Sequence, residues 1–224
     1  MPQLISKKII IYLFLFFLLG TVNNNSIINL SLPKIDKIEI SGLDYEESEK
    51  LKKIIKNLNY GNIFFLDKIN IVKNIYSLKT IEEFKVFKNY PSTLKIDVKK
   101  TQYLAITNKD GFEYYIGSNR KLIEDKSYKI NLPFIFGNLD IEEFFELKNN
   151  IENSDFDFNE ILNLYFYKSN RWDIETTKGY LVKLPIDDVK DSLNLFVQLS
   201  KKDNFKKKLI VDLRQKNQII LNEK

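Results

Sequence analysis

Residues 9–22 form an unbroken apolar run, Ile-Ile-Ile-Tyr-Leu-Phe-Leu-Phe-Phe-Leu-Leu-Gly-Thr-Val, with Lys7 and Lys8 before it and Asn23, Asn24 and Asn25 after it. No other stretch of the 224-residue chain matches its continuous hydrophobicity, so this run decides which solvent the rest of the chain meets. A helix rises ~1.5 Å per residue, so the run covers roughly 21 Å against the ~30 Å hydrocarbon core of a bilayer. Two readings follow. A basic start followed by an apolar stretch of this length describes a cleaved signal peptide. It also describes an uncleaved anchor whose helix extends into Leu4 and Ile5 on one side and Ile27, Ile28 and Leu30 on the other. Cleavage needs small residues at alternate positions just after the run. Gly20-Thr21-Val22 ends in a β-branched residue and Leu19-Gly20-Thr21 begins with a large one, which favours the anchor. Under both readings the chain beyond is exported, because Lys7 and Lys8 hold the N-terminus in the cytoplasm.

Roughly 190 residues follow, enough for one large or two small domains. The whole chain, at 44% hydrophobic and 29% charged residues, has the composition of a globular protein. The formal charge of +5, from 35 basic and 30 acidic residues, is spread along the sequence. Lys52-Lys53 and Lys206-Lys207-Lys208 read as solvated faces rather than phosphate contacts, and no aromatic-rich basic module for nucleic acid stands out. The chain has no cysteine and no histidine. Thiol nucleophiles, disulfides, the usual zinc sites and His-based triads are thereby excluded, and no cofactor or metal site is expected.

Taken in order, residues 35–40 alternate as a short strand closed by Ser41-Gly42. Asp44 and Glu47 have the spacing of a capping box ahead of a helix with Leu51, Ile54, Ile55 and Leu58 on one stripe. Asp67 caps a second helix expected to carry Ile69, Val72, Ile75 and Tyr76 on one side and to stop near Leu78. Residues 81–88 and 94–99 alternate apolar and charged side chains about a Tyr90-Pro91-Ser92 turn, the period of strands with one buried face. Strand, helix, helix, strand, strand implies two helices covering one face of a three-stranded sheet. From Tyr103 onward short β runs dominate, at 104–107, 113–116, 164–167, 172–175 and 180–184. Helices are expected over 141–151 and after Asp187 or Asp188, and strands at 209–213 and near 218–221. The fold class is α+β: an apolar N-terminal helix, a β-α-α-β-β unit, and a mainly antiparallel β domain with helical crossovers.

An anchor, a β-α-α-β-β unit containing Gly61-Asn62-Ile63-Phe64-Phe65-Leu66-Asp67 and Tyr90-Pro91-Ser92-Thr93-Leu94-Lys95-Ile96, and a β domain with Arg171-Trp172 and Val211-Asp212-Leu213-Arg214 together resemble the FtsQ/DivIB family of bacterial cell-division proteins. Two places depart from its pattern. Lys100-Thr101-Gln102-Tyr103-Leu104-Ala105 stands where family members often carry Glu-Arg-x-Pro, and Gln215 replaces an aromatic residue after Arg214. The resemblance implies a cytoplasmic tail at 1–8, a transmembrane signal anchor at 9–28 that includes Ile9, Phe14, Phe17 and Leu19, and a linker at 29–34. It further implies a POTRA domain at 35–102 and an FtsQ-type β domain at 103–224. With these comes a non-enzymatic role: a single-pass inner-membrane divisome scaffold at the septum, its bulk periplasmic, binding the bitopic proteins FtsB and FtsL and linking early and late septum assembly. FtsB is expected to add a strand along Gln218, Ile219, Ile220, Leu221 and Asn222, with Arg214 pairing a partner carboxylate and Arg171 and Trp172 supporting. Ile219, Ile220 and Leu221 are consecutive and apolar, so whichever face Ile219 and Leu221 bury, Ile220 points the other way; a bare apolar edge invites another strand. Within the domain the alternatives are that Ile220 packs beneath the last helix and that Arg214 bonds only internally.

Two rivals remain. Asp155, Asp157 and Glu160, or Glu142 and Glu143, suggest a carboxylate hydrolase acting on peptidoglycan, although acidic residues in a helix's first turn answer to the helix dipole. Ser92-Thr93-Leu94-Lys95 and Ser118-Asn119-Arg120-Lys121 match a Ser-x-x-Lys pattern whose chemistry needs both residues on one helical turn, and both fall in strands or turns. A POTRA adaptor of outer-membrane protein assembly usually has further modules or a lipid-facing barrel, for which this chain is too short.

Overall fold

The computed structural model describes residues 7–21, 34–58, 63–64, 66–124, 131–201, 209–215 and 218–223. Helix α1 (Lys7–Thr21) has 15 residues and every described side chain on it is exposed. It begins two residues ahead of the expected anchor and ends at Thr21, so the expected stretch from 22 to 28 lies outside the described residues. Among the described residues no helix is long and apolar enough to cross a membrane.

The first sheet holds β1 (Lys37–Ser41), β2 (Ile81–Asn89) and β3 (Thr93–Lys100) in the order β1-β3-β2, with β1 parallel and β2 antiparallel to the central strand. The alternation along β3 does what its period requires: Leu94, Ile96 and Val98 are buried, while Lys95, Asp97 and Lys99 take the other face. Helices α2 (Tyr45–Asn57) and α3 (Lys68–Tyr76) cover the buried face. Asp44 caps α2 by accepting from the Glu47 amide at 3.0 Å, and the Glu47 carboxylate meets Lys100 at 2.7 Å. Asp67 caps α3 through the Ile69 and Asn70 amides. The buried stripe of α3 differs from the expected one. Ile71 and Ile75 are its core residues, whereas Ile69 is 79% exposed and Val72 and Tyr76 are partly exposed. Ile71 and Ile75 lie one turn apart on the side turned to Leu51 and Ile55 of α2; Ile69 lies more than a quarter-turn away.

The second sheet has nine strands: β4 (Tyr103–Lys109), β5 (Phe112–Gly117), β6 (Leu122–Ile123), β7 (Phe134–Phe136), β8 (Ile161–Tyr167), β9 (Arg171–Thr176), β10 (Leu181–Lys183), β11 (Leu209–Asp212) and β12 (Ile220–Glu223). Their spatial order is β12-β11-β10-β9-β8-β7-β4-β5-β6. Five of the eight pairings are antiparallel and three parallel. Two parallel pairs are made by helical crossovers, as such pairs require. Helix α4 (Ile141–Glu152) joins β7 to β8 and α5 (Val189–Ser200) joins β10 to β11. Both helices pack on one face, where Phe144, Leu147, Ile151, Leu193 and Phe196 meet Trp172, Ile174, Val182 and Val211. Asp140 caps α4, but Asp188, ahead of α5, takes a left-handed conformation (φ 59°) and makes no side-chain cap.

The two sheets meet at a joint of polar contacts. The turn from Gly117 to Lys121 reaches into the start of β2: Asn119 Nδ2 donates to the carbonyls of Lys79 (2.8 Å) and Ile81 (2.9 Å), and Lys121 Nζ donates to the Tyr76 carbonyl at 3.0 Å. Ser118 Oγ donates to Glu82 Oε2 and accepts from the Gln102 amide. Its single proton is thus spoken for, so the Thr101 hydroxyl must donate across the 3.0 Å contact to Ser118 Oγ. A Cβ on Gly117 would stand 2.8 Å from Thr101 Oγ1 and 2.6 Å from Asn119 Oδ1, which only glycine avoids. The chain enters the first sheet at its opposite end, where the amides of Asp36 and Lys37 donate to the Ser92 carbonyl. The eight residues of β3 separate that end from the joint, roughly 26 Å at ~3.3 Å per residue.

Candidate functional site

Strand β12 ends the nine-stranded sheet and hydrogen-bonds β11 with the register Leu209↔Glu223, Ile210↔Asn222, Val211↔Leu221 and Asp212↔Ile220. It begins at Ile220, two residues later than the sequence suggests; Gln218 belongs to the turn before it, its amide donating to the Gln215 carbonyl. Paired residues share a face, so Leu221 lies on the helix-covered side with buried Val211, and Ile220 on the open side with Asp212. Neither side is covered at the edge. Ile219, Ile220 and Leu221 are 39, 40 and 48% exposed, because the buried set ends with Leu209 and Val211 on β11 and Leu213 just after it. Ile220 therefore does not pack beneath the last helix.

Behind Ile220 runs a row of polar side chains. The register places Tyr165, Asp173, Lys183, Asp212 and Ile220 side by side across β8 to β12. Arg214 closes its guanidinium fork on Asp212, with Nε donating to Oδ1 at 2.8 Å and a second nitrogen donating to Oδ2. This pairing holds the Asp212 carboxyl below its usual range and raises the Arg214 guanidinium. Asp173 behaves in the opposite way. Only 1% exposed, it is raised by burial, which Arg171 at 3.4 Å only partly offsets. Arg171 also lies 4.3 Å over the Tyr167 ring. Burial and Glu175, whose carboxylate accepts from its hydroxyl at 2.9 Å, push the Tyr165 phenol up to about 12. Beside the edge a groove of about 930 Å³ is lined by Asp188 and Asp191 at the start of α5, by Arg171 and Arg214, and by the apolar side chains of Leu213 and Ile219.

The residues singled out from sequence thus separate. Gln218, Ile219, Ile220, Leu221 and Asn222 gather at one exposed edge, and Arg214 and Arg171 flank it. Trp172 is buried against Phe166 at 4.7 Å and touches the edge only through the core. On α1, Ile9, Phe14, Phe17 and Leu19 are 51 to 74% exposed. Three of the five acidic residues weighed for hydrolysis have local partners: Glu142 pairs with Arg120, Asp157 caps a 3-10 turn (Phe158–Glu160), and Glu160 meets Lys178 at 2.5 Å. The sequence offered no sign of the joint made by Ser118 and Asn119, since a Ser-Asn-Arg-Lys turn resembles any surface turn.

A β-α-α-β-β unit jointed to a nine-stranded sheet that ends on an exposed strand defines an α+β protein of two units. The sequence model of the POTRA domain, FtsQ-type, matches residues 34–100, and that of the cell division protein FtsQ/DivIB C-terminal region matches residues 105–214. The chain belongs to the FtsQ/DivIB family, whose members are non-enzymatic components of the division machinery that interact with other division proteins. It is 28% identical to the cell division protein DivIB of Clostridium botulinum strain Hall, over 91% of this chain and 84% of that protein. Staphylococcus aureus DivIB is 24% identical over 45% of this chain and 23% of its own length. The solved major extracytoplasmic domain of Geobacillus stearothermophilus DivIB aligns with 48% of this chain and 99% of its own at 14% identity and a TM-score of 0.34.

Proposed function

We propose that this chain is a single-pass inner-membrane scaffold of the divisome that receives a β-strand from an FtsB-like bitopic partner, together with an FtsL-like one, along β12, and so links early and late septum assembly. The observation that carries this reading is the edge itself: β12 has β11 on one side, three half-exposed apolar residues, and an adjoining groove lined by both acidic and basic side chains. Strand addition supplies main-chain hydrogen bonds, and side chains seated on both faces supply selectivity. In this reading residues 35–102 are the POTRA domain, which meets further divisome proteins, and 103–224 the partner-binding domain. Residues 1–8 lie in the cytoplasm and 9–28 span the membrane, with the bulk of the chain periplasmic at the septum. Helix α1 supports the anchor because it is apolar around its whole circumference and exposed throughout, as a helix bathed in lipid is.

The test is Ile220→Asp in the full chain with capture of FtsB from membranes. The new carboxylate would stand across from Asp212, a like-charge pair on an open face, and should abolish capture while far-UV circular dichroism stays unchanged. Undiminished capture would remove β12 as the binding edge.

A further inference from the structure

The end of the first sheet where the chain enters is unlike the rest of that domain's surface. Phe64 and Tyr90 pair there at a centroid distance of 4.9 Å yet remain 49 and 60% exposed, and Phe87, two residues before the turn side of β2, is 43% exposed. Lys88 reaches the Phe64 carbonyl at 3.5 Å, Lys95 lies 5.8 Å over the Phe87 ring, and Lys34 and Lys37 arrive with the incoming chain. The carboxylates at this end are Asp36, Glu39, which Lys37 holds below its usual range, and Asp97, which pairs with Lys95 at 3.2 Å. Four cations against three anions leave a local excess of one positive charge, with Lys34 and Lys88 the cations not paired with Glu39 or Asp97. The wider distribution agrees. Residues 34–100 carry 14 lysines against 10 carboxylates (+4), whereas 101–224 carry 19 basic against 20 acidic residues (−1).

We propose that this end, with Phe64, Phe87 and Tyr90 as its aromatic anchors and Lys34 and Lys88 beside them, docks on the surface of a bilayer containing anionic phospholipid. The inference rests on the reading that α1 is embedded in that bilayer. Exposed rings with a polar tip suit the headgroup layer, which is apolar on one side and wet on the other. Lysines within a Debye length of an anionic leaflet are drawn to it. Position decides between lipid and a protein partner. Thirteen peptide steps join Thr21 to Lys34 and reach at most about 45 Å, so the surface that receives the chain from the membrane is held within that span of the lipid. A tether so short gives a weak surface affinity a high effective concentration. The joint and the β12 domain lie at the far end of β3, so docking stands the partner edge off the membrane on a fixed spacer.

The absence of native cysteine makes the test direct. Single-cysteine chains labelled with a fluorophore at Leu15, Asn89 or Lys109 are placed full-length in nanodiscs of zwitterionic lipid with or without ~30% phosphatidylglycerol, doped with a nitroxide quencher in the headgroup region or, for the Leu15 label, on the lipid acyl chain. Lys109 sits at the end of the β4–β5 hairpin away from the joint. With phosphatidylglycerol, the Asn89 label should be quenched at least twofold more than the Lys109 label. Tyr90→Ser with Phe64→Ser, or Lys34→Glu with Lys88→Glu, should erase that difference without altering circular dichroism or quenching at Leu15. Equal quenching at Asn89 and Lys109 while Leu15 is quenched overturns the docking and leaves the anchor standing. An unquenched Leu15 overturns the anchor and the docking with it. Protection of Asn89 in native membranes but not in nanodiscs assigns the surface to a protein and overturns the lipid.

Discussion

Replacing Asn119 by alanine tests whether the joint is held by the contacts that cross it. The side chain donates to the carbonyls of Lys79 and Ile81 and accepts from the Lys121 amide at 3.2 Å. A net ~1 kcal/mol for each of these bonds gives a loss of about 2–3 kcal/mol, and the Ile81 carbonyl would be left partly buried without that donor. In populations this is about a 30- to 150-fold rise in the open form of the joint. Hydrogen exchange of the Gln102 and Asn119 amides reads it directly, because both donate across the joint, to Ser118 Oγ at 3.0 Å and Thr101 Oγ1 at 3.2 Å. Under conditions where closing outruns exchange, both should accelerate by that factor while amides of β8 and β9 do not change. Asn119→Asp should do at least as much harm, since its carboxylate would face two carbonyl oxygens. Acceleration below about threefold in Asn119→Ala would show that apolar packing, not this turn, fixes the two sheets.

Gly42 has φ +87°, and a Cβ there would fall 1.7 Å from the Val98 carbonyl oxygen, so Gly42→Ala should cost about 3 kcal/mol or more and unfold the first domain selectively in thermal scans. Two carboxylates on the open face predict opposite responses to acid. The Asp212 carboxyl is depressed by Arg214, so its stabilisation is present above the ordinary carboxylate range near ~3.9 and disappears as pH falls through its lower folded value. Asp212→Asn should therefore be less stable than the parent at pH 7 and approach it in strong acid. The Asp173 carboxyl is raised by burial, so the parent protein recovers stability as pH falls through that folded value toward the ordinary one. Urea midpoints should shift in favour of Asp173→Asn as pH rises from about 4 to neutrality; a constant difference would contradict the assignment.

What could be read from the sequence divides along physical lines. Strict alternation in residues 94–99 and the carboxylates at Asp44 and Asp67 specify local structure through neighbours in the chain, and those elements stand where the pattern puts them. The buried stripe of α3 departs from the expected one because Ile69, Ile71, Val72 and Ile75 supply apolar residues around much of the helix, and only packing against Leu51 and Ile55 selects which of them is buried. β7 left no periodic signal: Phe-Ile-Phe is three residues with no polar alternation, and it is a strand because β4 and β8 flank it. The edge at Ile219, Ile220 and Leu221 was legible as an apolar run, but its exposure on both faces depends on where the buried set stops. The pairing of Arg214 with Asp212, two residues away, was one of the two alternatives open to the sequence, and only the side-chain geometry shows it in the unbound chain.

The central claim is that β12 gains a neighbouring strand when the partner binds. Hydrogen–deuterium exchange of residues 218–223 in the full-length chain, measured with and without the FtsB periplasmic segment, tests it most directly. β12 is antiparallel to β11, so only some of its amides are bonded inward and the others point along the open edge. Strand addition predicts that those outward amides slow by at least tenfold on binding, with the joint and the first sheet unaffected. Binding that leaves residues 218–223 exchanging as before would place the partner elsewhere and contradict the account.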